Sequence, residues 1–135
     1  VPSGTAELRA ELDRRVDAIE SAYEMMLAYA AQGLPGDAAG GAGGALRDSL
    51  ARFEEALVDL AGVCRDLVVA THPERLVACE EFLQVLERDA RATRAALRLV
   101  SNRPSISSQL IDNLNASIHV RALLTDLFLI DEAMK

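Results

Sequence analysis

Residues 45–70 read ALRDSLARFEEALVDLAGVCRDLVVA, and the apolar positions in this stretch decide the fold. Leu46, Leu50, Phe53, Leu57, Leu60, Cys64 and Leu67 follow one another at alternating spacings of four and three. An α-helix turns once every 3.6 residues, so this alternation returns each side chain to the same face. Sustained over three heptads, it is the seam of a helix packed against other helices. The spacing predicts one continuous helix over 45–70.

Downstream, Thr71-His72-Pro73-Glu74 punctuates the chain. Thr71 and Glu74 have the spacing of a capping box, and Pro73 falls in a first turn, where a missing N–H costs nothing. A helix over 73–101 follows, with Cys79, Leu83, Leu86, Ala90, Thr93, Leu97 and Val100 repeating the four–three alternation. Asn102-Arg103-Pro104-Ser105 breaks it, and Ser105 is the expected N-cap of a last helix over 105–134. That helix carries Ile111, Leu114 and Ile118 on one face and Leu123, Leu127, Ile130 and Met134 on another. Ser117–Arg121 alternates polar and apolar as a strand would, but the helical spacing on both sides outweighs it.

Upstream, Leu8, Leu12, Val16, Ile19, Tyr23 and Met26 put a helix over 5–32, with Gly33 as its stop. Residues 33–44 hold six glycines and read as a flexible linker. No Lys-Ser/Thr pair closes that stretch, so it is not a phosphate-binding loop of the P-loop kind. The whole is expected to be an all-α, single-domain, antiparallel four-helix bundle.

Composition agrees. The 135 residues are 50% apolar and 26% charged, with 4% aromatics and no Trp, and the mean hydropathy is +0.12. Such a chain has the material for a core, and that core is aliphatic. No run of residues is long and apolar enough for a transmembrane span. The net charge of −7 disfavours nucleic acid and anionic lipid. With no leader-like start the chain reads as cytoplasmic, and its Ala, Gly and Arg richness reads as bacterial.

Candidate chemistry is sparse. Cys64 and Cys79 fall at matching levels either side of the turn near residue 72, as two neighbouring core thiols; two cysteines are too few for a disulfide scaffold or a four-Cys zinc site. His72 sits in a turn and His119 on a flank. No Glu-x-x-His, Gly-x-Ser-x-Gly or Gly-x-Gly-x-x-Gly occurs, which removes the signatures of di-iron, hydrolase and dinucleotide sites. No cofactor, metal or catalytic residue is expected, and the chain is read as a non-enzyme. Arg88, Arg91, Arg94 and Arg98 form a basic band outside the seam, with acidic neighbours to pair. Arg121 and His119 are expected as buried polar anchors, with Asp17, Glu20, Glu24 or Asp59 as partners for the guanidinium. Tyr23, Met25, Met26 and Tyr29 make helix 5–32 locally soft, which suits core filling or partner contact.

The last helix is richer in apolar residues than one face can use: Leu123, Leu124 and Leu127 to Ile130 lie within eight residues. Leu123, Leu127, Phe128 and Ile130 are therefore the expected partner interface. The function this supports is a protein–protein interaction module, an adaptor, accessory factor or small chaperone, with a homodimer as the first expectation. The alternative is a ligand- or cofactor-binding sensory bundle with a central pocket formed around Arg121, His119 and Tyr23.

Overall fold

The computed structural model describes residues 4–38 and 43–134. Among them the chain is all-α, with six helices and no strand: α1 (Thr5–Ala31), α2 (Gly43–Ala56), α3 (Leu60–Thr71), α4 (Leu76–Ser101), α5 (Ser108–Ala116) and α6 (Ile118–Ala133). A single 3₁₀ turn, Pro73–Arg75, precedes α4. The helix count departs from the expected four because two of the predicted helices are broken.

The first break replaces the predicted continuous helix 45–70. α2 ends at Ala56 and α3 begins at Leu60, and Asp59 between them takes the left-handed conformation, with φ 55°. Asp tolerates that region better than most residues. The carbonyls freed at the break are taken by Arg15 of α1, whose Nη1 donates to Ala56 O at 3.3 Å and to Val58 O. Gly62 lies directly under the Asp59 side chain: a Cβ there would sit 2.2 Å from Asp59 Oδ1. The seven seam residues are nevertheless all buried, Leu46 to Leu67. The break adds Ala56, Ala61, Val63 and Val68 to the interior, so this arm buries a wider face than a straight seam.

The second break replaces the predicted helix 105–134. Ser117 is extended (φ −64°, ψ 146°) and its hydroxyl accepts from Val120 N–H at 3.3 Å, capping α6. The bend resets the helical phase. Ile118, expected on the inner face, is 74% exposed, while Val120 and Leu123 are fully buried. The start of the segment also moves. Ser107, not Ser105, caps α5, accepting from Leu110 N–H at 3.0 Å, because Ile106 is held on both sides of its peptide. Its N–H donates to Asp37 Oδ1 at 2.7 Å and its carbonyl accepts from Tyr29 Oη at 2.7 Å.

The Thr71–Glu74 capping box does not form. Thr71 Oγ1 bonds back to Leu67 O at 2.7 Å within α3, and the turn closes through Arg75 N–H to His72 O at 2.8 Å. At the end of α1 the expectation holds: Gln32 caps the helix and Gly33 adopts φ +67°, a conformation that costs glycine little.

The predicted linker 33–44 is in part a built structure. Asp37 accepts from Arg47 Nε at 2.5 Å, and Arg47 also donates to the carbonyls of Ser101, the last residue of α4 (3.2 Å), and of Arg103 beyond it (3.0 Å). Leu34 and Ser108 exchange bonds, and Ser108 Oγ donates to Tyr29 O at 2.6 Å. Residues 43 and 44 are already helical. The part of the linker over 39–42 lies outside the described residues.

The long helices α1 and α4 are the two poles of the packing. α1 packs on α2, α3 and α5; α4 packs on α3, α6, α2 and α5. One hydrophobic cluster draws from all six helices, centred on Ile19, Met26, Tyr29, Phe53, Leu86 and Leu97. Because Ser117 bends the chain, α5 lies on α1 while α6 leans on α4. α1 and α6 are not among the packed pairs, and a space lies between them.

Candidate functional site

The divergence of α6 from α1 opens a groove of about 1000 Å³. Its walls are the first five turns of α1 and the second half of α6; its floor comes from Cys64, Leu67 and Val68 of α3 and from Cys79, Phe82 and Leu83 of α4. The floor is apolar because the α3 and α4 seams meet there. Val16 and Tyr23 of α1 and Leu124 and Ile130 of α6 are half-buried along its sides, packed against the core on one side and facing the opening on the other. Phe128 stands at the lip, 79% exposed.

The α1 wall also carries Asp13, Asp17, Glu20 and Glu24, spaced four, three and four, and all exposed. That spacing stacks them in one stripe along the rim. Of the α1 arginines, Arg14 and Arg15 both pair with Glu11, at 2.6 and 2.8 Å, while Arg9 stands on the groove wall itself, at the end of the stripe four residues before Asp13. Among the described residues no ion pair engages the four carboxylates of the stripe.

The two cysteines both line this groove and both are free thiols. They differ in environment. Cys64 is buried, and burial pushes its thiol up to about 12, which leaves it inert at neutral pH. Cys79 is half-buried and faces the groove.

The sequence-based interface is corrected at Leu123, which is fully buried and absent from the groove lining, whereas Leu127, 9% exposed, packs on the core and also lines the groove. Phe128 and part of Ile130 remain at the surface, joined by Leu129. The expected buried anchors are corrected outright: Arg121 and His119 are both exposed. The phase reset at Ser117 turns them outward, and only the His119 backbone carbonyl is used internally, accepting from Thr93 Oγ1 at 3.0 Å. His72 stays in its turn, with Nδ1 3.0 Å from Thr71 Oγ1. In the basic band, Arg88, Arg91 and Arg98 are exposed, Arg91 pairing with Glu87 at 3.1 Å and Arg98 with Glu54 of α2.

A polar pair that sequence reasoning missed lies between α4 and α6. Asp126 is 5% exposed, its Oδ2 is buried without a hydrogen-bond partner, and the Asp89 carboxyl is its acidic neighbour. Burial first, then the neighbouring Asp89 carboxyl, pushes the Asp126 carboxyl up to about 7, against the smaller opposing effect of Arg88. The missed signal was spacing: Asp126 falls three residues after Leu123 and six after Val120, on the inward side once the helix restarts at 118.

Among the described residues, no group of three or more His, Cys, Asp or Glu is placed to hold a metal ion, and no helix is long and apolar enough to cross a membrane. No family model, curated protein or solved structure matches this chain.

Proposed function

We propose that this chain is a protein-interaction module that receives an apolar helical segment of a partner in the groove between α1 and α6. In this reading the six helices occupy four positions of an antiparallel bundle, with α2–α3 and α5–α6 as two bent arms, and the bend at Ser117 opens the receiving site. The observation that carries the reading is the groove itself: about 1000 Å³ over an apolar floor, with Phe128 left 79% exposed at its lip. A helix laid into an apolar groove is a standard mode of peptide recognition, anchored by side chains at i, i+3 or i+4, and i+7. An exposed aromatic beside such a groove is the residue type that dominates binding energies.

The ligand-binding alternative loses support, since Arg121 and His119 face solvent and only Tyr23 of its three residues reaches the groove. Self-association draws on less surface than the sequence suggested, because Leu123 is internal and Leu127 is 9% exposed.

The test uses Cys79 as a reporter. Helical peptides selected by display on the full chain are added before alkylation with a maleimide. Peptides docked in the groove slow labelling of Cys79 at least tenfold, and Phe128→Ser abolishes that protection while the helical circular dichroism is unchanged. Peptides that bind without protecting Cys79 place recognition elsewhere. Light scattering at about 29 kDa at micromolar concentration, twice the 14.5 kDa chain, replaces the foreign partner with a second copy.

A further inference from the structure

The groove has one apolar dimension and one charged one, and together they specify the chemistry of its occupant. On the reading that the groove receives a helix, we infer that the occupant is a basic amphipathic helix, with Lys or Arg along one flank of its apolar face, from a partner other than a second copy of this chain.

The length comes from α1. The wall runs from Arg9 to Glu24, and at 1.5 Å rise per residue this is roughly 22 Å, the length of a helix of about 15 residues. A helix of that length offers four turns and hence four anchoring positions to the floor. The charge comes from the stripe of Asp13, Asp17, Glu20 and Glu24, which steps along the same wall about one turn at a time. A docked helix alongside α1 presents its own flank at the same pitch, so cations spaced four, three and four meet the carboxylates in register. An acidic flank meets four like charges instead, which discriminates between partners more strongly than attraction alone.

The same electrostatics disfavour a second copy. The chain carries −7 overall. Each copy would bring its own acidic α1 rim to the contact. The basic band of α4 lies outside this groove, since none of Arg88, Arg91, Arg94 or Arg98 lines it, and Arg9 is the single arginine on its wall against the four carboxylates. A basic helix is the occupant whose charge complements the rim while its apolar face covers Val16, Leu124 and Phe128.

The experiment separates the charge claim from the docking claim. An 18-residue helical peptide library with a fixed Leu face, its flanks randomised among Lys, Gln and Glu, is selected against the full chain. Enrichment of Lys along one flank at spacings of three and four is the expected result. Binding of the selected peptide weakens at least tenfold between 50 and 500 mM salt, as an exposed charged rim requires. Asp17→Lys combined with Glu20→Lys, both at exposed positions and with the helical circular dichroism checked, shifts the selection to Glu flanks. Flanks that stay random, or an unchanged preference in the doubly reversed variant, overturn the basic-helix inference while Cys79 protection still upholds docking. Selection of no peptide that protects Cys79 overturns both.

Discussion

Asp126 and Asp37 make the protein's stability depend on pH in opposite directions. Asp126 has its carboxyl raised to about 7 by burial and by Asp89. The native state therefore holds a proton that the unfolded chain releases near 4. That contribution is fully present below about pH 4 and is lost as pH rises towards 7. Asp126→Asn removes the dependence: its Tm exceeds that of the unaltered protein by a few degrees at pH 8, and the gap closes by pH 4. Asp37 is lowered to about 2, first by Arg47 and then by the Ile106 N–H. Its stabilisation is present above about pH 4 and is lost as pH falls through 2. Asp37→Asn melts several degrees lower at neutral pH and no lower than the unaltered protein at pH 2. Thermal scans of the three proteins from pH 2 to 8 check both expectations. Neither residue was visible as special in the sequence. Asp37 sat in a glycine-rich stretch, and Asp126 looked like any helical acid until the phase of α6 was known.

The two broken arms show how far periodicity carries and where it stops. Every residue of the 46–67 seam is buried, as four–three spacing predicts, yet the helix through them is interrupted at 57–59. Spacing reports which side chains face inward; it is silent on whether the backbone between them stays helical. Here Arg15, more than forty residues away in sequence, supplies the donors that two freed carbonyls need. The bond to Ala56 O is part-buried and that to Val58 O exposed, so water replaces the second donor and the loss of the first costs about 1 kcal/mol. Arg15→Ala accordingly destabilises by about that amount and speeds amide exchange at Leu60 and Val63, whereas Arg14→Ala, on the exposed pair with Glu11, changes little. In the last arm the interruption does alter which residues are inside. The sequence placed Ile118 in the seam and Arg121 close to it; the cap at Ser117 puts both outside and Val120 and Leu123 within.

Across the molecule, order is distributed unevenly between the two ends. One end is tied by Tyr29, Asp37, Arg47, Ile106 and Ser108, which hydrogen-bond the end of α1, the 33–38 turn, the start of α2, the end of α4 and the start of α5 into one network. The other end holds the groove, where α6 is supported by α4 and leaves α1. Local opening is cheapest where elements share the fewest buried contacts. Amides of α6 over 124–133 are expected to exchange at least tenfold faster than those of α4 over 86–97 in native-state hydrogen exchange, and an interior peptide in the groove removes the difference. The all-α class, the inward-facing residues of α1 to α4, the stop at Gly33 and the excess of apolar residues near 123–130 were readable from spacing and composition, because helical burial is periodic and local. The breaks at Asp59 and Ser117, the network around Asp37 and the groove were set by tertiary structure. Each depends on groups distant in sequence, a guanidinium reaching a freed carbonyl or two helices diverging from a bend, and no periodicity along one chain encodes which distant partner completes a hydrogen bond.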